Sequence, residues 1–368
     1  MHIGIDASRA AVKRRTGTEN YSLHLIRSLL EIAGADGGAH ARDRFTLYFN
    51  QPPADGLLPS LPRCAHRVMP FPRLWTHVRL SIEMQMHAPD ILFVPAHVLP
   101  LRHPKRSVVT VHDLGYLYYP KAHTAWDRKY LRYSTAYNAR AASRIIADSE
   151  ATKSDIVKQL NVVSDRVAVI YPGVGEEFFQ PVSSQRMAQV AERYALSGSY
   201  IVYVGTLQPR KNLRRLVEAY AKLRERGDVD ARLVIAGKVG WFAEETMQHL
   251  SKVSRDVTIT GFVPEEDLPA LYAGATALIM PSLFEGFGMP VVEAMACGTP
   301  VVAARAGALP EVVGDAGVLV DPLDIDSIAD GIGRVVSDRK LQARLRQKGL
   351  ERAKRFTWQR AAQEVLTL

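Results

Sequence analysis

Glu285 and Glu293 stand with seven residues between them in Pro281-Ser282-Leu283-Phe284-Glu285-Gly286-Phe287-Gly288-Met289-Pro290-Val291-Val292-Glu293-Ala294. The segment follows the apolar run Ala277 to Met280 and leads into a helical pattern. Glycines at 286 and 288 let the backbone approach a ligand, and Pro290 is preset for a first helical turn. A helix starting there has N–H groups without intrahelical partners, a natural seat for phosphate. Carboxylates repel phosphate, so Glu285 and Glu293 serve better as acceptors for hydroxyl groups on either side of it. A phosphate flanked by polyols describes a sugar nucleotide. A second stretch, Val204-Gly205-Thr206-Leu207-Gln208-Pro209-Arg210-Lys211-Asn212-Leu213, repeats the order strand, glycine turn, helix. Arg210 brings a planar fork and Lys211 a compact charge, both suited to diphosphate oxygens without a metal ion. Taken alone, two adjacent basic residues read as solvated charges.

Both segments need strands that deliver their loops to one sheet edge. Short apolar runs bounded by turns alternate with helical patterns along the chain, the signature of parallel sheets covered on both faces. The fold class is therefore α/β, doubly wound. Strands are expected at His2 to Ala7, Phe45 to Phe49, Ile91 to Pro95, Ser107 to Val111, Arg144 to Ala147 and Val167 to Tyr171. The pattern restarts at Tyr200 to Val204 and continues with Arg232 to Ala236, Val257 to Thr260, Ala277 to Met280, Pro300 to Ala303 and Val318 to Val320. A glycine- and proline-bearing stretch from about Pro172 to Gln185 separates the two series. The expected division is a domain over 1–176, a second over 177–350, and a C-terminal helix over 351–368 packing back on the first.

Composition limits the alternatives. The 368 residues, 47% hydrophobic and 23% charged, suit two soluble globular domains. No uninterrupted apolar stretch approaches the roughly 18 residues that span a bilayer. Two isolated cysteines, Cys64 and Cys297, make neither a disulfide framework nor a zinc knuckle, and no metal site is expected. The N-terminus meets Asp6 and then Arg9 to Arg15, so it lacks a secretory apolar core and reads as cytoplasmic. The formal charge of +9 is lopsided, with 23 Lys+Arg against 15 Asp+Glu up to Glu176. A basic half attracts nucleic acid, an anionic membrane or phosphorylated substrates, unless its charges only solubilise.

In that first half, Gly17 precedes a helix carrying Leu23, Leu25, Ile26 and Leu29, where backbone can approach a ligand or Thr18 can simply cap the helix. Arg9, Lys13, Arg14 and Arg15 offer charge to an anionic acceptor. His112 closes the run Val108 to Val111, at the strand end where open α/β sheets bind ligands, although a lone histidine is more often structural. Trp126 to Ser143 mixes Arg128, Lys129, Arg132 and Arg140 with tyrosines, and Phe71 to Ile82 interleaves Arg73 and Arg79 with Leu74, Trp75, Val78 and Leu80. Each can meet lipid headgroups or pack one face in the core. The basic stretch Asp338 to Phe356 has the same two readings.

The Glu285 to Glu293 motif resembles the signature of retaining glycosyltransferases of the glycogen-synthase-like class, family 4. Gly205 to Asn212 is similar to that family's second donor loop, Thr260 to Val263 with Leu268 and Tyr272 to its base-binding region, and Val169 to Val174 to its interdomain connector. The resemblance implies two Rossmann-like domains facing a cleft (GT-B), with a nucleoside diphosphate sugar held by the second. It assigns Glu293 to the ribose hydroxyls and Glu285 to the transferred hexose. Backbone N–H groups of Phe287, Gly288 and Met289 would line the sugar and phosphate, with Val263 and Leu268 near the base. Arg210 and Lys211 would neutralise the leaving diphosphate, His112 would face the transferred sugar, and the loop at Gly17 would lie against donor or acceptor. Thr206 departs from the pattern, since many members carry arginine there; Arg210 is the substitute at hand.

The implied activity is metal-independent hexosyl transfer with retention, needing no cofactor beyond its sugar-nucleotide donor, with mannose from GDP-mannose weakly preferred. The acceptor would be a saccharide or lipid-linked molecule of cell-surface polysaccharide biosynthesis, met at the inner face of the cytoplasmic membrane. The rivals are a sugar-nucleotide epimerase on the same fold and a basic nucleic-acid-binding protein, the latter without a recognisable motif. A dinucleotide dehydrogenase lacks its G-x-G-x-x-G after the first strand.

Overall fold

The computed structural model describes residues 1–13, 15–35, 40, 42–96, 98–120, 124–238, 240 and 256–368. The chain separates into two compact units, one of Met1–Tyr116, His123–Gly173 and Thr357–Leu368, the other of Leu117–Ala122 and Val174–Phe356.

The first unit is built on strands β1 (His2–Asp6), β2 (Arg44–Phe49), β3 (Cys64–Val68), β4 (Ile91–Val94), β5 (Ser107–Val111), β6 (Arg144–Ala147) and β7 (Val167–Val169). They form a parallel sheet of order β3-β2-β1-β4-β5-β6-β7. Ile5, Leu47, Leu92, Val109 and Ile145 in its strands are fully buried, as a sheet covered on both faces requires. Strand β3 was not expected. Its mostly exposed residues lack an apolar run, because an edge strand is held by backbone pairing with β2 more than by burial.

The second unit carries β8 (Tyr200–Val204), β9 (Arg232–Ala236), β10 (Val257–Gly261), β11 (Ala277–Met280), β12 (Val301–Ala304) and β13 (Gly317–Val320). Their parallel order is β10-β9-β8-β11-β12-β13. In each unit the order reverses beside the first strand, at β1/β4 and β8/β11. Loops leaving the carboxyl ends there part to opposite sides and open a crevice. The loops after β8 and β11 are the two donor segments of the sequence.

The division falls after Gly173 and before Thr357, a few residues from the expected 176 and 350. Helix Arg339–Ala353 stays with the second unit by burying Leu341, Leu345, Gly349 and Ala353. Its basic residues cover solvent or bind locally: Lys348 reaches Asp315 at 2.6 Å, and the Arg352 guanidinium donates to the carbonyls of Glu311 and Val312. The last helix, Trp358–Leu366, joins the first unit. There Trp358 meets the Tyr21 ring edge-on and stacks on His24, both with centroids 5.6 Å apart. A short excursion of the first half, Leu117–Ala122, belongs to the second unit. Tyr118 stacks on Phe284 and the Tyr119 hydroxyl donates to the Leu283 carbonyl at 3.0 Å.

Candidate functional site

In the second unit, the loops after β8 and β11 are tied into one body. The Leu283 N–H donates to the Arg210 carbonyl at 2.8 Å, and Arg210 Nη1 returns a bond to the Phe284 carbonyl at 2.8 Å. Asn212, buried and in the left-handed region at φ 61°, donates its amide to the carbonyls of Pro281 at 3.0 Å and Pro322 at 2.6 Å. Asparagine tolerates this conformation better than most residues. It ends the turn Pro209–Lys211 and opens helix Leu213–Arg226.

This clasp brings Arg210, Lys211 and Glu285 together. Lys211 Nζ lies 2.6 Å from Glu285 Oε1, and Arg210 Nη1 lies 3.2 Å from Oε2. Burial alone would push the Glu285 carboxyl up, but Lys211, Arg210 and a hydrogen bond from Ser282 hold it down at about 2. The sequence suggested separate duties, Glu285 for sugar hydroxyls and the two cations for phosphate. The structure brings the three into one ion-paired cluster. Charge explains it, since a carboxylate only 6% exposed needs compensation that nearby cations supply. The formal charges of the trio sum to +1. Each carboxylate oxygen has two lone pairs, so Glu285 keeps capacity for a hydroxyl donor.

Gly288, at φ 101°, turns the loop into helix Met289–Ala296, with Pro290 in its first turn as expected. A Cβ on Gly288 would approach Leu309 Cδ2 to 2.7 Å. Phe287 is buried with its ring edge-on to Phe356 at 5.5 Å, while Met289 is half-buried. The positive end of the helix thus faces the turn that carries Glu285. From behind, Ala308 N–H holds the Glu285 carbonyl at 2.9 Å, and Gly307 packs so closely that its Cβ would meet that oxygen at 2.4 Å.

Glu293 is in this helix, and the Tyr272 hydroxyl donates to its Oε2 at 2.7 Å. Burial pushes Glu293 up to about 7; the Tyr272 hydrogen bond opposes this, and the charges of Glu265 and Glu177 add to it. Tyr272 lies in the last turn of helix Leu268–Ala273, whose half-buried Leu268 follows Asp267. Asp267 is fully buried and accepts from Arg186 and Arg193, each at 2.6 Å, and from Tyr194 at 2.7 Å. Val263 is buried just before this turn. Thr206 is half-buried after Gly205, its carbonyl accepting from the Tyr203 hydroxyl at 3.4 Å.

The first unit places His112 directly after β5. Its Nδ1 lies 2.7 Å from Asp148 Oδ2, and the Tyr21 ring stands edge-on to it with centroids 4.7 Å apart. Burial opposes charge on the ring, yet Asp148, Asp113 and the Pro95 carbonyl raise His112 above the ordinary histidine value. The expected cap at Thr18 is corrected: Thr16 caps helix Gly17–Gly34, its N–H and hydroxyl both donating to Glu19. Arg9 lies 3.6 Å from the same Glu19, which gives it an internal partner. Arg15 turns back to the Val12 carbonyl at 3.5 Å. Arg14 lies outside the described residues. A Cβ on Gly17 would meet nothing within 4 Å, so neighbouring packing does not require glycine there.

Asp148, Asn212, Ser282 and Gly307 were missed from sequence. Asp148 alone left a signal, as the first residue after its strand, matching His112 in the next strand. Among the described residues no group of three or more His, Cys, Asp or Glu side chains is arranged to hold a metal ion.

Residues 16–178 match the family Glycosyltransferase Family 4, and residues 192–352 match Glycosyl transferases group 1. The chain is 34% identical over 265 residues to O-antigen chain mannosyltransferase B of Escherichia coli, spanning 71% of this chain and 69% of that protein. Among solved structures, Anabaena Alr3699/HepE in complex with UDP-glucose is similar at TM-score 0.74 and 20% identity, over 100% of this chain and 99% of that one. WaaG, a glycosyltransferase involved in lipopolysaccharide biosynthesis, is similar at TM-score 0.74 and 14% identity, over 99% and 98%. Those two likenesses show the shared fold. With one family match in each unit and a relative of this identity over more than two thirds of its length, the chain belongs to the family-4 glycosyltransferases of GT-B fold.

Proposed function

We propose that this glycosyltransferase moves mannose from GDP-mannose to a saccharide or lipid-linked acceptor, with retained anomeric configuration, in the assembly of a cell-surface polysaccharide. The observation that carries the reading is the Lys211–Glu285–Arg210 cluster, held at the β8/β11 crossover beside the positive end of helix Met289–Ala296. The mannosyltransferase from Escherichia coli supports the choice of sugar and product class.

In this reading the diphosphate lies against Arg210, Lys211 and the N–H groups of Phe287, Gly288 and Met289. Glu293 accepts from the ribose, Glu285 from the hexose, and Val263 and Leu268 border the base. The bond from the anomeric carbon to the diphosphate oxygen breaks as the acceptor oxygen attacks from the same face. The acceptor proton passes to the departing phosphate, whose charge the two cations stabilise without a metal ion. His112 Nε2 hydrogen-bonds the transferred sugar.

The test is thermal stabilisation by GDP, UDP and ADP, followed by transfer from GDP-mannose in excess EDTA with the product anomer read by NMR. A ligand bound only by the folded state raises its stability. Preference for GDP and an α-linked mannoside are expected; stabilisation by UDP alone, or inversion, refutes the donor or the stereochemistry. Lys211→Ala and Glu285→Ala are expected to abolish transfer. Each also leaves a buried partner short of charge, at about 3–5 kcal/mol. Glu285→Gln, which retains the shape, must therefore lose transfer as well.

For localisation, we propose contact with an anionic bilayer surface. Trp126, Tyr130 and Tyr133 point outward from helix Ala125–Ala141, whose buried positions are Ser134, Thr135, Asn138 and Ala139. His77 Nε2 lies 3.1 Å from the Tyr130 hydroxyl, joining this face to exposed Phe71, Leu74, Val78 and Ile82. Exposed Arg128, Lys129 and Arg132 supply the complementary charge. Two residues expected on that surface, Trp75 and Leu80, are buried, with Trp75 Nε1 donating to the Met69 carbonyl at 2.7 Å. Among the described residues no helix is long and apolar enough to cross a membrane.

A further inference from the structure

The pairing Val111↔Ala147 in the β5–β6 ladder makes His112 and Asp148 the next opposed residues, just past the last paired rung. Their side chains meet there, with His112 Nδ1 2.7 Å from Asp148 Oδ2. Asp148 is 5% exposed. Ser149, the next residue, caps helix Glu150–Leu160 by accepting from Thr152 N–H at 3.0 Å, and Thr152 Oγ1 donates to the His112 carbonyl at 3.3 Å. Both partners therefore sit on fixed backbone. The Tyr21 ring, braced through its hydroxyl 3.3 Å from Thr110 Oγ1, closes the side of the imidazole.

A histidine kept only for structure has both ring nitrogens satisfied when buried. Here Nε2 is buried and makes no hydrogen bond of good geometry among the described residues, although the Pro95 carbonyl is near enough to the ring to favour its charge; Asp148 Oδ1 is likewise buried without such a bond. We propose that Asp148 is the positioning residue of this site: it holds the proton on His112 Nδ1 and fixes the ring so that Nε2 is the atom presented to the transferred sugar. Burial raises the Asp148 carboxyl, and the charge and hydrogen bond of His112 oppose this; in its ionised form the carboxylate accepts and cannot donate, so the contact at Nδ1 places the proton on that nitrogen. The assignment of Nε2 to the sugar rests on the proposed transferase reading; the assignment of the Nδ1 proton does not. The titratable groups facing the ring are Asp148, Asp113 and Tyr21. Both carboxylates favour the protonated ring, while burial opposes it.

The experiment is nitrogen-15 NMR of the full chain labelled at histidine, with the His112 signals identified by their loss in His112→Gln. Wild type is expected to show a proton on Nδ1 throughout and a titration midpoint above 6.5. Asp148→Asn retains an acceptor and removes the charge, so the midpoint should fall by about one to two units. Its kcat should fall about 10- to 100-fold, the scale seen when ligating histidines lose their outer partner, with donor KM within threefold. A neutral ring protonated on Nε2 in wild type overturns the proposal even if Asp148→Asn does not fold. So does a folded Asp148→Asn with unchanged midpoint and kcat. Expected spectra with normal transfer by His112→Gln would overturn the sugar-facing half alone, leaving the Nδ1 assignment supported.

Discussion

Glu293→Gln should stabilise this protein, and by more as the pH rises. The carboxyl is buried, and burial together with Glu265 and Glu177 lifts it from 4.5 to about 7 against the Tyr272 hydrogen bond. Between those values the native state keeps a proton that the unfolded chain has released. Stability therefore falls as the pH rises through the window. The contribution is intact below 4.5 and lost above about 7, and a shift of this size amounts to about 3 kcal/mol. Glutamine has no proton to lose and still offers an oxygen to the Tyr272 hydroxyl. Measured between pH 5 and pH 8, the variant should gain on wild type by about 2–3 kcal/mol. For a unit of this size that is roughly 5–10 °C in melting temperature. Urea and thermal unfolding of both proteins at the two pH values give the comparison directly, since other titrating groups cancel. An equal gap at both would mean that Glu293 is ionised in the folded state from pH 5 upward, and would refute the reasoning from burial.

Gly307→Ala puts a methyl group 2.4 Å from the Glu285 carbonyl oxygen at a φ of 53°, so stability should drop by about 1–3 kcal/mol, with weaker nucleotide-dependent stabilisation. Gly17→Ala, with open space around the new methyl, serves as the steric control and should melt within a few degrees of wild type. For the membrane surface, co-sedimentation with vesicles containing anionic lipid should fall when Trp126 and Tyr133 become serine, and in high salt. Binding that ignores both changes would remove the surface from consideration.

The sequence by itself determined the α/β class, eleven of the twelve strands it marked to within about a residue, and the two loops after β8 and β11. Burial on both faces writes itself into the chain as short apolar runs, and glycine and proline mark where those runs must stop. Val167 to Tyr171 ran longer on paper than the observed Val167–Val169, and β3 left no apolar trace because it sits at an edge. Tertiary structure alone decided how the charges combine. Lys211 and Glu285 are 74 residues apart, and only the adjacency of β8 and β11 brings them to 2.6 Å. His112 and Asp148 meet for the same reason across β5 and β6. A residue type states what chemistry a side chain can do, but its charge state and free valences depend on neighbours that arrive from distant parts of the chain. That is why the sequence marked Glu285 but not the ion pairs it makes with Lys211 and Arg210.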